Sequence, residues 1–201
     1  FVATTDPNPK HAGAGLDLLK NAEVEVALAP DSVRKEAERM NFIFNHNMRT
    51  GGPLIALKLA ESANGMVAER SGYPSEVTGA EAREDVMRWR RLFPAICVGA
   101  GTLSADDPSL TSRLPDETWC PVRILVDSSL STFGSQVVPR KVYTDEFSDR
   151  SVVLTTSKGM GNIQRVARAK DLGVRLVEVG ESDGGGVDPS SMLSLLSELS
   201  L

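Results

Sequence analysis

Ala95-Ile96-Cys97-Val98-Gly99-Ala100-Gly101-Thr102-Leu103-Ser104-Ala105-Asp106-Asp107-Pro108-Ser109-Leu110-Thr111-Ser112-Arg113 is the stretch on which the fold turns. Its first four residues form a short apolar run that reads as a buried strand. Gly99 and Gly101 then permit a sharp backbone turn and a close approach to something flat or anionic. Thr102 and Ser104 add hydroxyls, Asp106 and Asp107 two adjacent carboxylates, and Pro108 stops any helix from running on. Arg113 closes the segment with a guanidinium suited to phosphate. This is how an α/β sheet presents a ligand at its carboxyl edge. The same residue types also build ordinary surface turns. The Gly-x-Gly is no dinucleotide fingerprint, because no third glycine follows and Asp-Asp-Pro stands where a helix would open. The residues alone leave a ligand loop and a surface loop both open.

Working outward, strand and helix patterns alternate. Leu54 to Ala60 reads as a strand with Ile55, Leu57 and Leu59 on one face and Ala56, Lys58 and Ala60 on the other. A lysine between two alanines leaves room for a ligand, or it guards a sheet edge against aggregation. Asn64-Gly65 is a turn signal. Thr78 and Glu81 have the spacing of a capping box for a helix to about Arg91, with Ala82, Val86, Trp89 and Phe93 as its buried stripe. Arg90 borders that stripe and could reach a site at the sheet edge. Further strands are expected at Val122–Val126, ending in Asp127-Ser128, at Ser151–Leu154 and at Val174–Val179. Thr155-Thr156-Ser157-Lys158-Gly159-Met160-Gly161-Asn162 is a second glycine- and hydroxyl-rich strand end ahead of a helix, Ile163 to Asp171, and reads as a phosphate site or as a plain loop. Asp188-Pro189 opens a last helix. Toward the amino terminus, Phe1–Thr5 and Val24–Ala29 read as strands, Gly15–Asn21 as a helix, and Val33, Ala37, Met40 and Phe44 as one apolar helical stripe. Gly51-Gly52-Pro53 marks a boundary that divides the chain into 1–50 and 51–201.

The 201 residues are 41% hydrophobic, enough for a sizeable core, and carry a net charge of −5, which argues against nucleic-acid and anionic-membrane partners. No apolar run approaches membrane-spanning length. Cys97, Cys120, His11 and His46 are not at metal-ligand spacing, so the chain lacks the His/Cys/Cys set of a zinc deaminase. Two cysteines fit a cytoplasmic protein with free thiols.

The spaced motifs resemble the reductase domain of the bifunctional deaminase/reductase family of riboflavin biosynthesis. Gly99-Ala100-Gly101-Thr102 through Asp106-Asp107-Pro108 to Leu110-Thr111-Ser112-Arg113 is similar to that family's Gly-x-x-Thr-x-x-x-Asp-Asp-Pro-x-Leu-Thr-x-Arg signature. Leu57 to Gly65, Thr78-Gly79 through Arg90, and Val126-Asp127-Ser128 resemble its other strand, turn and helix motifs. Asp6-Pro7-Asn8-Pro9 with Gly13-x-Gly15 resembles the close of the deaminase domain that precedes the reductase. The resemblance implies an α/β, dihydrofolate-reductase-like, mostly parallel sheet lacking its last strands and preceded by the tail of a cytidine-deaminase-like domain. It thus describes a fragment, with zinc belonging only to the deaminase part.

The resemblance also implies a reaction, the NADPH-dependent reduction of 5-amino-6-(5-phosphoribosylamino)uracil to its ribitylamino product by a cytoplasmic homo-oligomer. On the matching positions, Lys58 and Asp106 lie near the reacting sugar; Ala60, Thr102, Asp106 and Ser128 line the cofactor; Arg90, Leu110 and Arg113 hold substrate. The chain departs from the family at Pro74-Ser75-Glu76-Val77-Thr78, where Ser-x-Trp-Ile-Thr is usual, and at Asn64, where aspartate is usual. The family's Glu-Gly-Gly segment would lie beyond Leu201. These departures favour an alternative, a non-catalytic fragment or pseudoenzyme that binds a phosphoribosyl ligand or serves subunit association.

Overall fold

A computed structural model describes residues 1–11, 13–70, 73 and 76–199. Pro74 and Ser75 of the departing segment therefore lie outside the described residues. Contacts divide the chain into one unit of Phe1–Ala56 with 196–199 and another of Leu57–Leu195.

The first unit holds α1 (Ala14–Asn21), α2 (Asp31–Met40) and α3 (Phe42–Thr50). The two strands expected here reduce to a single parallel bridge, Val2 with Leu28. A lone pair of strands without a third has little stability in water. The expected apolar stripe is not buried: Val33, Met40 and Phe44 are exposed. Asn41 interrupts the helix between α2 and α3, which takes Phe44 out of register with Val33. The buried group is instead Asn45, whose Nδ2 donates to the Glu38 carbonyl across the break at 2.9 Å.

The second unit is an α/β layer built on a parallel sheet. Its strands are β1 (Ala95–Gly99), β4 (Val122–Val126), β5 (Ser151–Thr155) and β6 (Arg175–Glu178), adjacent in that order. All three pairings are parallel. Strands β2 (Ser112–Leu114) and β3 (Glu117–Trp119) form a separate antiparallel hairpin that the sequence pattern does not announce. Every residue of β5 is buried, as expected of a central strand covered on both faces. Leu103, Leu125, Leu130, Phe133, Val142, Tyr143 and Val153 fill the core, with the Phe133 and Tyr143 rings stacked at 4.7 Å.

Helices α4 (Ala80–Leu92), α5 (Ala100–Asp106), α6 (Lys141–Thr144), α7 (Ser157–Met160), α8 (Ile163–Asp171) and α9 (Pro189–Glu198) connect and flank these strands. Helix α8 begins and ends at the expected residues. Asn162 Oδ1 accepts from Arg165 N at its start, and Gly173, at φ +70°, turns the chain away just past its end. The Asp188 carboxylate caps α9, accepting from Ser191 N and Oγ, and these bonds hold its carboxyl below the usual range.

Four expectations are corrected. Leu54–Ala60 forms no strand: Ile55, Leu57 and Leu59 are exposed at 60%, 88% and 61%, and no described residue supplies the backbone partner a strand requires. Helix α4 starts after Gly79 without a side-chain cap, so Thr78 and Glu81 make no capping box; the Thr78 carbonyl instead accepts from Arg83 Nη1. Trp89 is not core but 46% exposed, and donates to Asp85 Oδ2 at 3.1 Å. Ala100–Asp106 is a helix rather than a loop, because burying Leu103 completely repays the helix cost of Gly101.

Candidate functional site

The carboxyl edge of the sheet is built from the ends of neighbouring strands. Gly99 pairs with Val126, so α5 and the Asp127-Ser128 segment leave the sheet side by side. Asp127 is 2% exposed. Its Oδ1 accepts from Ser131 N and Oγ at 2.8 and 3.0 Å, and its Oδ2 from Thr132 N and Oγ1, both at 2.8 Å. Thr132 Oγ1 is also bonded to the Tyr143 hydroxyl at 2.9 Å, a group whose pKa burial pushes up. The Ser128 carbonyl accepts from Thr155 Oγ1 and Thr156 Oγ1, each at 3.0 Å, and from Thr156 N. Thr155 and Thr156 are 0% exposed, so of the hydroxyls at the second strand end it is Ser157 that is exposed, beside Lys158. At Gly99 and Gly101 an added Cβ would meet nothing within 4 Å, so the start of α5 is open and Thr102 stands exposed on it.

A groove of about 280 Å³ lies among α4, the turn that follows α5, β2 and α6. Met87 and Arg90 of α4, Asp106 to Leu110, Arg113 of β2 and Lys141 of α6 line it. Arg90 Nη1 donates to the Thr111 carbonyl at 2.8 Å, and Ser112 Oγ donates to the Met87 carbonyl at 2.7 Å, docking α4 on the hairpin. Arg90 Nε is buried without a hydrogen-bond partner. Burial, and then the charge of Arg113, lower the pKa of its guanidinium. Neither Arg90 nor Arg113 has an ion-pair partner among the described residues. Asp107 is committed elsewhere: its Oδ1 accepts from Lys141 N at 2.8 Å, and its Oδ2 lies 4.0 Å from Lys141 Nζ. Two guanidiniums that repel each other in a partly desolvated groove are stabilised by an anion, and the bidentate fork of arginine suits a phosphate.

The turn beneath the groove is not made by glycine. Gly99 has φ −84°, and Gly101 is not among the positive-φ glycines. Asp107 and Leu110 take the left-handed conformation, at φ +41° and +57°. Each costs about 1–2 kcal/mol relative to ordinary backbone, strain of the kind that persists where the surroundings over-determine the chain.

Of the residues singled out in the sequence, Arg90, Asp106, Leu110 and Arg113 meet in this groove. Leu110 is 3% exposed and belongs to the core, so it forms wall rather than contact surface. Thr102 and Ser128 lie on the carboxyl edge outside the groove lining. Lys58 is exposed and Ala60 half-buried on the unpaired 54–60 segment, and neither lines the groove. Glu76 pairs with Arg83 at 3.2 Å. Sequence reading missed Lys141, Arg123 and Asp145. Arg123 interrupts an apolar strand and is 0% exposed, a signal that a buried charge needs a partner, but that partner, Asp145, is distant in sequence. A larger cavity of about 400 Å³ in the first unit, lined by Thr4, Thr5, Asp6 and His11 among others, offers no such cation pair. Among the described residues no three His, Cys, Asp or Glu side chains are placed to hold a metal, and no helix is long and apolar enough to cross a membrane.

A family model described as the RibD C-terminal domain matches residues 53–200. The riboflavin biosynthesis protein RibD of Actinobacillus pleuropneumoniae is 35% identical over 203 residues, covering 100% of this chain and 50% of that protein. Its counterpart from Bacillus amyloliquefaciens is 44% identical over 131 residues, 65% of this chain and 35% of that protein. Among solved structures, Acinetobacter baumannii RibD superposes with a TM-score of 0.71 at 29% identity, over 99% of this chain and 51% of that one. A Thermotoga maritima structure, titled as a diaminohydroxyphosphoribosylaminopyrimidine deaminase/5-amino-6-(5-phosphoribosylamino)uracil reductase, superposes at 0.65 and 29% identity over 90% of this chain and 53% of that one. The chain spans about half the length, or less, of these relatives. The mostly parallel sheet is the dihydrofolate-reductase-like sheet of these neighbours, and the family match covers well over half of the chain: this protein belongs to the RibD C-terminal domain family.

Proposed function

We propose that the second unit is the reductase part of a riboflavin-biosynthesis enzyme. In this reading it reduces the phosphoribosyl side chain of 5-amino-6-(5-phosphoribosylamino)uracil at C1′, using NADPH, and residues 1–50 are the end of an associated deaminase domain. The observation that carries the reading is the Arg90–Arg113 pair, two guanidiniums without carboxylate partners among the described residues in one groove. A phosphate there neutralises both and anchors the sugar. Asp106 lines the same groove and is the carboxylate this reading assigns to proton handling.

Three features of the carboxyl edge support a dinucleotide there: the backbone at Gly99 and Gly101 is open, Thr102 stands in the first turn of α5, and Ser128 follows the neighbouring strand β4. NADPH, when bound, supplies the hydride to C1′ of the imine, and a proton completes the amine at its nitrogen. Asp106 manages that proton. The buried hydrogen bonds to the Ser128 carbonyl fix the strand end against which the cofactor lies.

Following NADPH oxidation with the phosphoribosylaminouracil tests this. Arg113→Ala breaks no side-chain bond with a described residue and is expected to raise KM about tenfold or more, the size of one lost charged hydrogen-bond pair, with kcat little changed. Binding of substrate and cofactor without turnover would favour the non-catalytic reading instead. Lys158, exposed at the carboxyl edge on α7, is the candidate for the cofactor's extra phosphate. Lys158→Ala is expected to narrow the preference for NADPH over NADH severalfold; an unchanged ratio of affinities would remove it from that role.

A further inference from the structure

Under the groove lies a charge that none of the roles above uses. Arg123 of β4 is 0% exposed, the largest fully buried side chain among the described residues. Its guanidinium does not simply pair with one carboxylate. Nη1 donates to Asp145 Oδ2 at 2.7 Å and to the Ser109 carbonyl at 3.1 Å. Nη2 donates to Asp145 Oδ1 at 2.8 Å, to the Val142 carbonyl at 3.0 Å and to the Phe147 carbonyl. One planar fork therefore joins the Asp107–Leu110 turn to α6. Those are the two segments that carry Asp107, Ser109 and Lys141 to the groove. They are tied a second time at the surface, where Asp107 Oδ1 accepts from Lys141 N. The turn so held is the one with left-handed backbone at Asp107 and Leu110, and Ser109 sits between them.

We propose that Arg123 is a positioning residue for the phosphate groove. It holds the Ser109 carbonyl, and with it the strained turn, in the conformation that sets Arg113 beside Arg90 about one anion. Asp145 orients the fork, and Val142 and Phe147 complete it. Lysine is no substitute: an ammonium is a point charge that keeps the attraction to Asp145 but cannot span five acceptor atoms from four residues. A buried ion pair of this kind is weak evidence for a purely stabilising role, since apolar replacement of such pairs is often neutral for stability.

The inference rests on the phosphate reading of the groove, and one titration series separates the two. Ribose 5-phosphate is titrated by calorimetry into the unaltered chain, Arg123→Lys and Asp145→Asn, with thermal unfolding of each run in parallel. In the folded variants the Kd is expected to rise about tenfold for Arg123→Lys and less for Asp145→Asn, at unchanged stoichiometry. A merely structural role lowers the fraction of competent protein, and so the stoichiometry, while leaving Kd as it was. Should Arg123→Lys fail to fold, Asp145→Asn decides on the same criterion. An unchanged Kd in the folded variants overturns the positioning role alone. No binding by the unaltered chain overturns the phosphate reading and this role with it.

Discussion

Asp127→Ala is expected to remove about 4 kcal/mol of stability, a large fraction of what a domain of this size has to spare. The carboxylate accepts four hydrogen bonds at 2.8–3.0 Å while 2% exposed. Bonds to a charged acceptor contribute about 1.5–3 kcal/mol each and do not add fully, but alanine also strands the Ser131 and Thr132 amides that the carboxylate satisfies. The damage spreads inward, because Thr132 Oγ1 bonds the Tyr143 hydroxyl, and the Tyr143 ring stacks on Phe133 in the core. Asp127→Asn, which keeps one acceptor oxygen and turns an amide toward donors, is expected to lose about half as much. Urea unfolding reads both. A midpoint shift in Asp127→Ala worth less than about 1 kcal/mol would show that the 131–133 turn stands without the carboxylate.

Gly159→Ala is expected to cost about 3 kcal/mol, at the upper end for an overpacked site, and to weaken cofactor binding more than substrate binding. An added Cβ would lie 2.0 Å from Thr155 Oγ1 and 2.6 Å from the Ser128 carbonyl oxygen. Neither neighbour has room to give. Thr155 is β-branched and 0% exposed, and its hydroxyl is bonded to that same carbonyl. The backbone of Ser128 must shift, and Ser128 is on the edge assigned to the cofactor. Adding Thr155→Ala should recover part of the loss by removing the nearer clash, and a double-mutant cycle measures the recovery. Gly159→Ala with unaltered NADPH affinity would mean that the Ser128 strand end does not touch the cofactor.

Where signals are local, the sequence is a good guide. The apolar runs at 95–99, 122–126 and 151–155 become parallel strands, and Asn162 and Gly173 bracket α8 as their side-chain and backbone chemistry demands. The failures share a cause, dependence on partners far along the chain. Leu54–Ala60 has a strand's alternation but no neighbour among the described residues. Gly101 reads as a loop residue, yet the core site for Leu103 makes its segment a helix. Gly159, equally loop-like, sits in α7 because nothing larger fits against Ser128. The site divides in the same way. Arg90, Asp106 and Arg113 are legible because the motif carries them, whereas Lys141 reaches the groove through Asp107, 34 residues away. The turn between them depends on a left-handed leucine that no propensity would choose.

The central claim is that the Arg90–Arg113 groove holds the substrate's phosphate and that the cofactor lies apart from it, along the sheet edge of Thr102 and Ser128. Calorimetric titration of NADPH and of ribose 5-phosphate, each in the absence and presence of the other, into the unaltered chain and Arg113→Ala tests it most directly. The account predicts that both bind the unaltered chain at once. It also predicts that Arg113→Ala weakens ribose 5-phosphate about tenfold or more and leaves NADPH within about twofold. Mutual exclusion of the two ligands, or an Arg113→Ala chain that loses NADPH as much as it loses ribose 5-phosphate, would contradict it.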